Sequence, residues 1–381
     1  AEQKHIFAQD WLCAGRVDAL QEPGDYLTMD IAGEPIIILR DRDGQLRGLS
    51  NVCRHRMSTL LEGRGRVRAI VCPYHAWTYN LDGSLRGAPA MTLNETFCKD
   101  QVRLPAIRVV DWHGWIMVTL NPEAPDIHDR LRDVERLVGH LDMASYRETF
   151  REDFRWHTNW KVLAENFMES YHLPACHAGT IGGTCDLALM ECPEGTDAFN
   201  YHWIVKNDLV PLALAHPTNT TLMGDERRIT WLLAIYPALL ITLTPGYFWY
   251  LSLTPDGPGH VKVLFGGGMS REEAVGLTLA MRDSGTVLKW DQEGYEALAH
   301  NVELGDLLLQ VVFHARMAEE RRRSRQRDHR RATVMHHGAP EPAPPLLRIS
   351  GVTVRFGGIV ALDGVSFDVH RGEICALIGP N

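Results

Sequence analysis

The sequence predicts an α+β protein: a β-rich N-terminal part, then an antiparallel sheet flanked by helices. Three observations carry this. Up to about Leu120 the chain reads as short strand-like runs, such as EPIIILRDRDGQLRGLSNV, broken by Gly, Pro and Asp. From Thr230 to Met269 the pattern is β again, with turn signals at Pro245-Gly246 and Pro255-Asp256-Gly257. Between and beyond these regions, apolar residues recur at helical spacing.

Taken in order, AEQKHIFAQDWLC sets Ile6, Phe7 and Trp11 at helical steps, so the sequence opens within a helix. AIVCPYHAWTYNLDGSLRG ends in Leu81-Asp82-Gly83-Ser84, a hairpin signal. NPEAPD marks a boundary, which puts the first domain at 1–122 and the second at 123–332. DIHDRLRDVERLVGHL is helical, and so is NWKVLAENFMESYH, which Pro174 should end soon after. Helices return from Arg271 to about Arg327. HHGAPEPAPPLL has five prolines or glycines in twelve residues and reads as a linker at 333–346. A further β pattern fills 347–381, and no internal repeat is present.

With 381 residues and 45% hydrophobic content, the chain has material for two or three cores. A net charge of −9 argues against a nucleic-acid binder. No apolar run reaches the roughly 18 residues of a membrane span. The polar opening carries no secretory signal. Eight scattered cysteines read as reduced thiols or ligands, which implies a cytoplasmic protein.

Two short units carry the first chemistry. Cys53-Arg54-His55 and Cys72-Pro73-Tyr74-His75 each pair one sulfur with one imidazole. Core cysteines beside surface histidines would explain them blandly. A structural zinc site is the second reading, although zinc fingers usually group Cys with Cys and His with His. The third is a Rieske [2Fe–2S] cluster, in which two thiolates hold one iron and two imidazoles the other. The order Cys-x-His…Cys-x-x-His suits that division, each loop giving one ligand to each iron.

CRHR, CPYHAWTY and LDGSL resemble the Rieske domain of the Rieske non-haem iron oxygenases, oxygenase (α) subunit, and the resemblance covers roughly residues 1–325. It implies that Cys53 and Cys72 hold one iron, and His55 and His75 the other. Met57 departs from the small residue usual in the family and reads as local packing.

NWKVLAENFMESYHLPACHAGT holds the second constellation. On a helix Glu165, Glu169 and His172 share one stripe, and His177 lies five residues further, past the bend at Pro174. Alone this spacing reads as a surface Glu–His pair. It resembles the family's NWK…EN…D-x-Y-H-x4/5-H signature, so His172 and His177 match the iron-binding histidines and Asn166 the asparagine near that iron. The implied centre is a mononuclear Fe(II) in a two-histidine, one-carboxylate facial triad. Asp291 is the chosen carboxylate, sharing a helical face with Tyr295, Leu298 and Val302. A salt bridge or helix cap would also explain it, Trp290 stands where the family has an acid, and Asp283 is the runner-up. Glu169 replaces the family's usual Asp, which links a cluster histidine of one subunit to the iron histidine of its neighbour. Glu there is also found in the branch acting on quaternary amines.

The resemblance further implies a helix-grip, START-like catalytic domain and a homotrimer or multiple of three. It implies electrons from a separate reductase or ferredoxin, with O2 and a small aromatic acid or betaine as substrates. The product is hydroxylated or demethylated. Trp231, Tyr236, Phe248, Trp249 and Tyr250 read mostly as sheet core, with a minority able to wall a pocket or cage a cationic amine. Two other readings stay open: a Rieske electron carrier with a degenerate second domain, and a transporter-associated fusion. The latter rests on LLRISGVTVRFGGIVALDGVSFDVHRGEICALIGPN, which resembles the opening of a branched-chain amino-acid-type ABC ATP-binding subunit. The phosphate-loop lysine and hydroxyl residue are missing, so no ATP hydrolysis is expected. Seven arginines in Arg321–Arg331 read as a solvated helix end.

Overall fold

A computed structural model describes residues 1–176, 186–206, 213–270 and 272–273, and the backbone of 347–356 and 359–369. The chain forms two compact units, Ala1–Leu288 and Lys289–Asn381. In the second, β-strands Leu347–Phe356 and Ile359–Val369 pair antiparallel. The other described elements belong to the first unit.

Its N-terminal part supplies β1 (Leu12–Arg16), β2 (Asp25–Ile31), β3 (Glu34–Arg40), β4 (Leu46–Ser50) and β5 (Arg64–Arg66). Next come β6 (Ile70–Val71), β7 (Thr78–Tyr79), β8 (Leu85–Gly87), β9 (Ala106–Trp112) and β10 (Trp115–Thr119). Seven of them form one sheet in the order β1-β10-β9-β4-β3-β2-β5, and β6-β7-β8 form a small second one. Asp82 closes the expected hairpin by accepting from the Ser84 N–H at 2.9 Å.

Helices α1 (Ile127–Arg130) and α2 (Arg132–Val138) lead on to β11 (Arg147–Trp156), α3 (Trp160–Phe167) and α4 (Leu173–Cys176). The remaining strands of the first unit are β12 (Met190–Glu191), β13 (Phe199–Val205), β14 (Ile229–Ile235), β15 (Leu239–Leu243) and β16 (Tyr247–Pro255), with β17 (Val261–Met269) closing the sheet. The order is β11-β17-β16-β15-β14-β13-β12. A Cβ at Gly268 would lie 1.9 Å from the Arg147 carbonyl oxygen, so only glycine lets β11 approach β17 there.

The two faces of this sheet have different partners. Leu233, Ile235, Ile241, Leu243, Phe248 and Tyr250 pack with Trp112, Trp115 and the i, i+4, i+7, i+11 row Ile127, Leu131, Val134 and Val138. Ala234, Leu240, Leu251 and Leu253 pack with Trp160 and, half-buried, Leu163, Phe167 and Trp249. Full burial of each large side chain contributes about 1.5–3 kcal/mol.

Two expectations are corrected. The N-terminal helix is one turn, Gln3–Phe7; Trp11 lies past it and is held by its indole N–H on the Pro125 carbonyl at 2.8 Å. The helix over Asn159–His172 stops at Phe167, and Pro174 sits in the first turn of α4 instead of ending α3. Side chains explain the early stop, since Glu169 and Ser170 bond elsewhere and compete with helical continuation. Pro is tolerated in a first turn because its missing N–H would have no intrahelical partner there. The helices expected beyond Arg271 lie outside the described residues, apart from 272–273.

Candidate metal centres

Strand β4 leads into the first Cys–His loop and β6 into the second, and the two loops have one backbone design. Cys53 N–H donates to Ser58 O at 2.9 Å, and Cys72 N–H to Trp77 O at 2.8 Å. Met57 N–H donates back to Cys53 O at 3.1 Å, and Ala76 N–H to Cys72 O at 3.0 Å. Met57 and Ala76, each four residues past its cysteine, both have φ of 56°. Met57 is 72% exposed, so the packing role expected for it is wrong: its place is set by the left-handed turn.

Both cysteines are buried in a cluster with Leu60, Ile70, Trp77 and Tyr79, and both are free thiols. The histidines lie outward, their ring centroids 4.7 Å apart, with His55 stacked on Trp77 at 4.8 Å. Burial would raise the Cys72 thiol pKa. Backbone N–H donation from Tyr74 and His75, with side-chain bonds from Cys53 and Ser58, reverses this and lowers it. Tyr79 was missed by sequence reasoning. Its hydroxyl accepts from Arg54 N–H at 3.0 Å and lies 3.3 Å from Cys53 Sγ, where it can donate to a thiolate. Asn51 pins the loop base, accepting from Leu61 N–H at 2.9 Å and donating to Leu61 O at 2.8 Å.

The segment after α3 holds His172. Glu169 Oε1 accepts from the His172 backbone N–H at 3.1 Å, and Oε2 lies 2.6 Å from Nδ1. Burial pushes the Glu169 carboxyl up, but the bonds and charge of His172 outweigh it and hold the pKa below the usual value. With Nδ1 engaged, ligation of a metal by His172 would use Nε2. Sequence reasoning also missed the anchor beside it. Ser170 Oγ lies 2.8 Å from Nε2 of His202, a buried residue of β13 whose pKa desolvation drives down to about 4. His202 thus stays neutral, and it ties the segment to the sheet. Asn166 lies exposed on the last turn of α3. His177, Asp283 and Asp291 lie outside the described residues.

The sheet beneath this segment offers a floor. His202, Leu232, Thr242, Trp249 and Gly267 stand in one cross-strand row. Trp249 meets Phe167 of α3 edge-on at 5.3 Å, while Trp231, Phe248 and Tyr250 are buried in the core of the opposite face. Tyr236 is 38% exposed. Thr242 Oγ1 is buried with no hydrogen-bond partner among the described residues.

Residues 10–98 match the Rieske [2Fe-2S] domain. The N-terminal part is a Rieske domain. Residues 141–267 match the ring hydroxylating alpha subunit (catalytic domain), and together these imply a Rieske cluster and a mononuclear iron. The Rieske domain here fits its cluster: two buried free thiols in twin loops, thiolate-favouring donors at Cys72, and two outward imidazoles. In the second domain His172, with its ring held by Glu169, fits an iron ligand. When bound, the cluster supplies single electrons and the mononuclear iron a site for O2.

Curated relatives are similar over part of their length. The carnitine monooxygenase oxygenase subunit of Acinetobacter pittii is 34% identical over 186 residues, 47% of this chain and 49% of that one. The glycine betaine monooxygenase oxygenase subunit of Chromohalobacter salexigens is 30% identical over 258 residues, 67% of this chain and 55% of that one. The chain spans about half the length of these relatives. Among solved structures, a quaternary ammonium Rieske monooxygenase, CntA, shares the fold with TM-score 0.61 at 23% identity, covering 80% of each chain. Naphthalene 1,2-dioxygenase from Rhodococcus sp. gives 0.65 at 22%, covering 79% of this chain and 77% of that one. Residues 292–330 match the MazG nucleotide pyrophosphohydrolase domain. None of the three family matches reaches 347–381, so the expected ABC-type tail is not supported. No helix among the described residues is long and apolar enough to cross a membrane.

Proposed function

We propose that this chain is the oxygenase component of a Rieske-type monooxygenase acting on a quaternary amine of the betaine class. One observation carries the reading. Twin Cys–His loops and a Glu-braced His172 lie in one compact unit, and the similar curated proteins are named carnitine and glycine betaine monooxygenase oxygenase subunits. The chain's own residues prepare both centres. Tyr79 and the backbone N–H groups of Tyr74 and His75 would stabilise thiolates at Cys53 and Cys72. Glu169 holds the tautomer and orientation of His172, with His177 and Asp291 as the further ligands this reading assigns. Asn166 stays the residue assigned near the iron. Trp249, beside Phe167, is placed to meet a cationic methylammonium head, and Thr242 brings an unpaired hydroxyl to the same row.

Electrons would come from a separate reductase or ferredoxin. The working unit in this reading is a homotrimer, or a multiple of three, in which the cluster loops of one subunit meet the Glu169 segment of the next. Exposed apolar residues favour that contact. Met57 and Tyr74 are 72% and 61% exposed at the cluster loops, and Val162 and Tyr171 are 55% and 79% exposed around the His172 segment. One similar solved structure, of a quaternary ammonium Rieske monooxygenase, is described as giving insights into inter-subunit electron transfer in that protein.

The test is substrate-dependent O2 uptake with a surrogate reductase across betaines, carnitine and aromatic acids. Uptake and N-demethylated or cleaved product from a betaine alone supports the reading. Coupled turnover of aromatic acids only would replace it with an aromatic hydroxylase. Absence of iron beyond the cluster pair would leave an electron carrier.

A further inference from the structure

We propose that His113, His128 and Glu135 form a binding site for a divalent transition-metal ion, such as Zn2+, separate from both iron centres. The three residues come from three places. His113 lies in the two-residue turn between β9 and β10, His128 on α1 and Glu135 on α2. One ligand atom from each lies within 4.8 Å of the others.

The three side chains converge on one carboxylate oxygen. Glu135 Oε1 accepts from the Trp112 indole N–H at 2.9 Å and lies 2.9 Å from His128 Nδ1. These two use the lone pairs of one carboxylate oxygen. His113 Nε2, a buried atom, is also only 3.1 Å from that oxygen, within ion-pair range but without hydrogen-bond alignment. Three nitrogens thus crowd one carboxylate oxygen that has two lone pairs. An ion between the three atoms would turn that nitrogen into a ligand. Two imidazoles and a carboxylate are the donor set of a zinc site that keeps a fourth position open. The Trp112 N–H then orients the carboxylate from behind, as outer-shell donors do for metal ligands.

The backbone supplies a second observation. His113 has φ of 48° and Gly114 of 86°, so both turn residues are left-handed. Such turns favour Asn-Gly or Asp-Gly. His113 occupies a position where its backbone is less suited than Asn, and its side chain is the part that meets Glu135. A bound ion would clamp the β9–β10 turn to α1 and α2, the segment joining the two sheets.

The experiment uses the full chain with its cluster loaded. Zn2+ binding is followed by calorimetry and by metal analysis after gel filtration, and the ligands are read by zinc X-ray absorption. Wild type should bind a zinc equivalent with nitrogen and oxygen ligands only, and His172→Ala should retain it. His113→Asn keeps a residue suited to the turn and removes the ligand. It and Glu135→Gln should each weaken binding at least about 10-fold. His128→Ala, at a half-exposed position, should do the same without loss of fold. Zinc binding unchanged in all three variants would overturn the site. So would sulfur ligation in the absorption edge, which would place the ion on cysteines.

Discussion

The two candidate iron centres are built in different ways. In the cluster loops each turn closes on its own cysteine with the same pair of backbone bonds, and both cysteines share one core with residues from Ile37 to Leu104. The His172 segment has only half of that closure, Cys176 N–H on His172 O at 2.7 Å, and leans on side chains for the rest. Its helix ends at Phe167, and the stretch beyond is held by side chains, Glu169 on His172 and Ser170 on His202 from a distant strand. A centre for passing electrons gains from a rigid local frame. A centre that must admit substrate and O2 is hung from the sheet by a few polar contacts, and those contacts are where it can be adjusted.

The largest break in this comparison comes from ligand loss. Cys72→Ser should abolish the Rieske EPR signal and all turnover while leaving iron at the His172 site by metal analysis. His172→Ala should do the reverse, keeping the cluster spectrum and losing mononuclear iron and turnover. If either variant loses both centres, the two frames are not independent.

Glu169→Gln comes next. It keeps the shape but weakens the hold on Nδ1, so iron affinity or activity should fall about 10–100-fold. The cluster spectrum should not change. An equal loss of cluster would show that the brace acts on the whole fold.

Tyr79→Phe sharpens the comparison from the other side. It removes the hydroxyl beside Cys53 Sγ, so the cluster midpoint potential should drop, as read by voltammetry. Arg54 N–H also loses its acceptor, at about 1 kcal/mol in stability. Iron content at His172 should be untouched.

The smallest effect is expected at Met57→Gly. Relief of a left-handed non-glycine residue, offset by the chain entropy of glycine, should stabilise by about 0.5–1 kcal/mol. Thermal unfolding would show it. A destabilised variant would mean that the Met57 side chain matters in spite of its exposure.

Much of the cluster site was legible because its candidate ligands sit in short motifs whose spacing is itself the geometry. Cys53, His55, Cys72 and His75 could be read without knowing the sheet around them. The α+β order, the hairpin at Asp82-Gly83 and the apolar row from Ile127 to Val138 were legible for the same reason, since turn chemistry and side-chain period act over a few residues. The end of α3 was not. Helical spacing from Glu165 to His172 was real in the sequence, but the side chains of Glu169 and Ser170 bond outside the helix pattern, and propensity yields to such contacts.

By itself, then, the sequence determined the class of the fold, the two Cys–His motifs offered as cluster ligands and the segment that carries His172. Only the tertiary structure decided which groups tune them. Tyr79 reaches Cys53 across 26 positions, His202 reaches Ser170 across 32, and His113 meets Glu135 only because α2 packs on the β9–β10 turn. Spacing along a chain says nothing about residues on different strands and helices. Those meetings are set by register and by which faces bury their apolar side chains together.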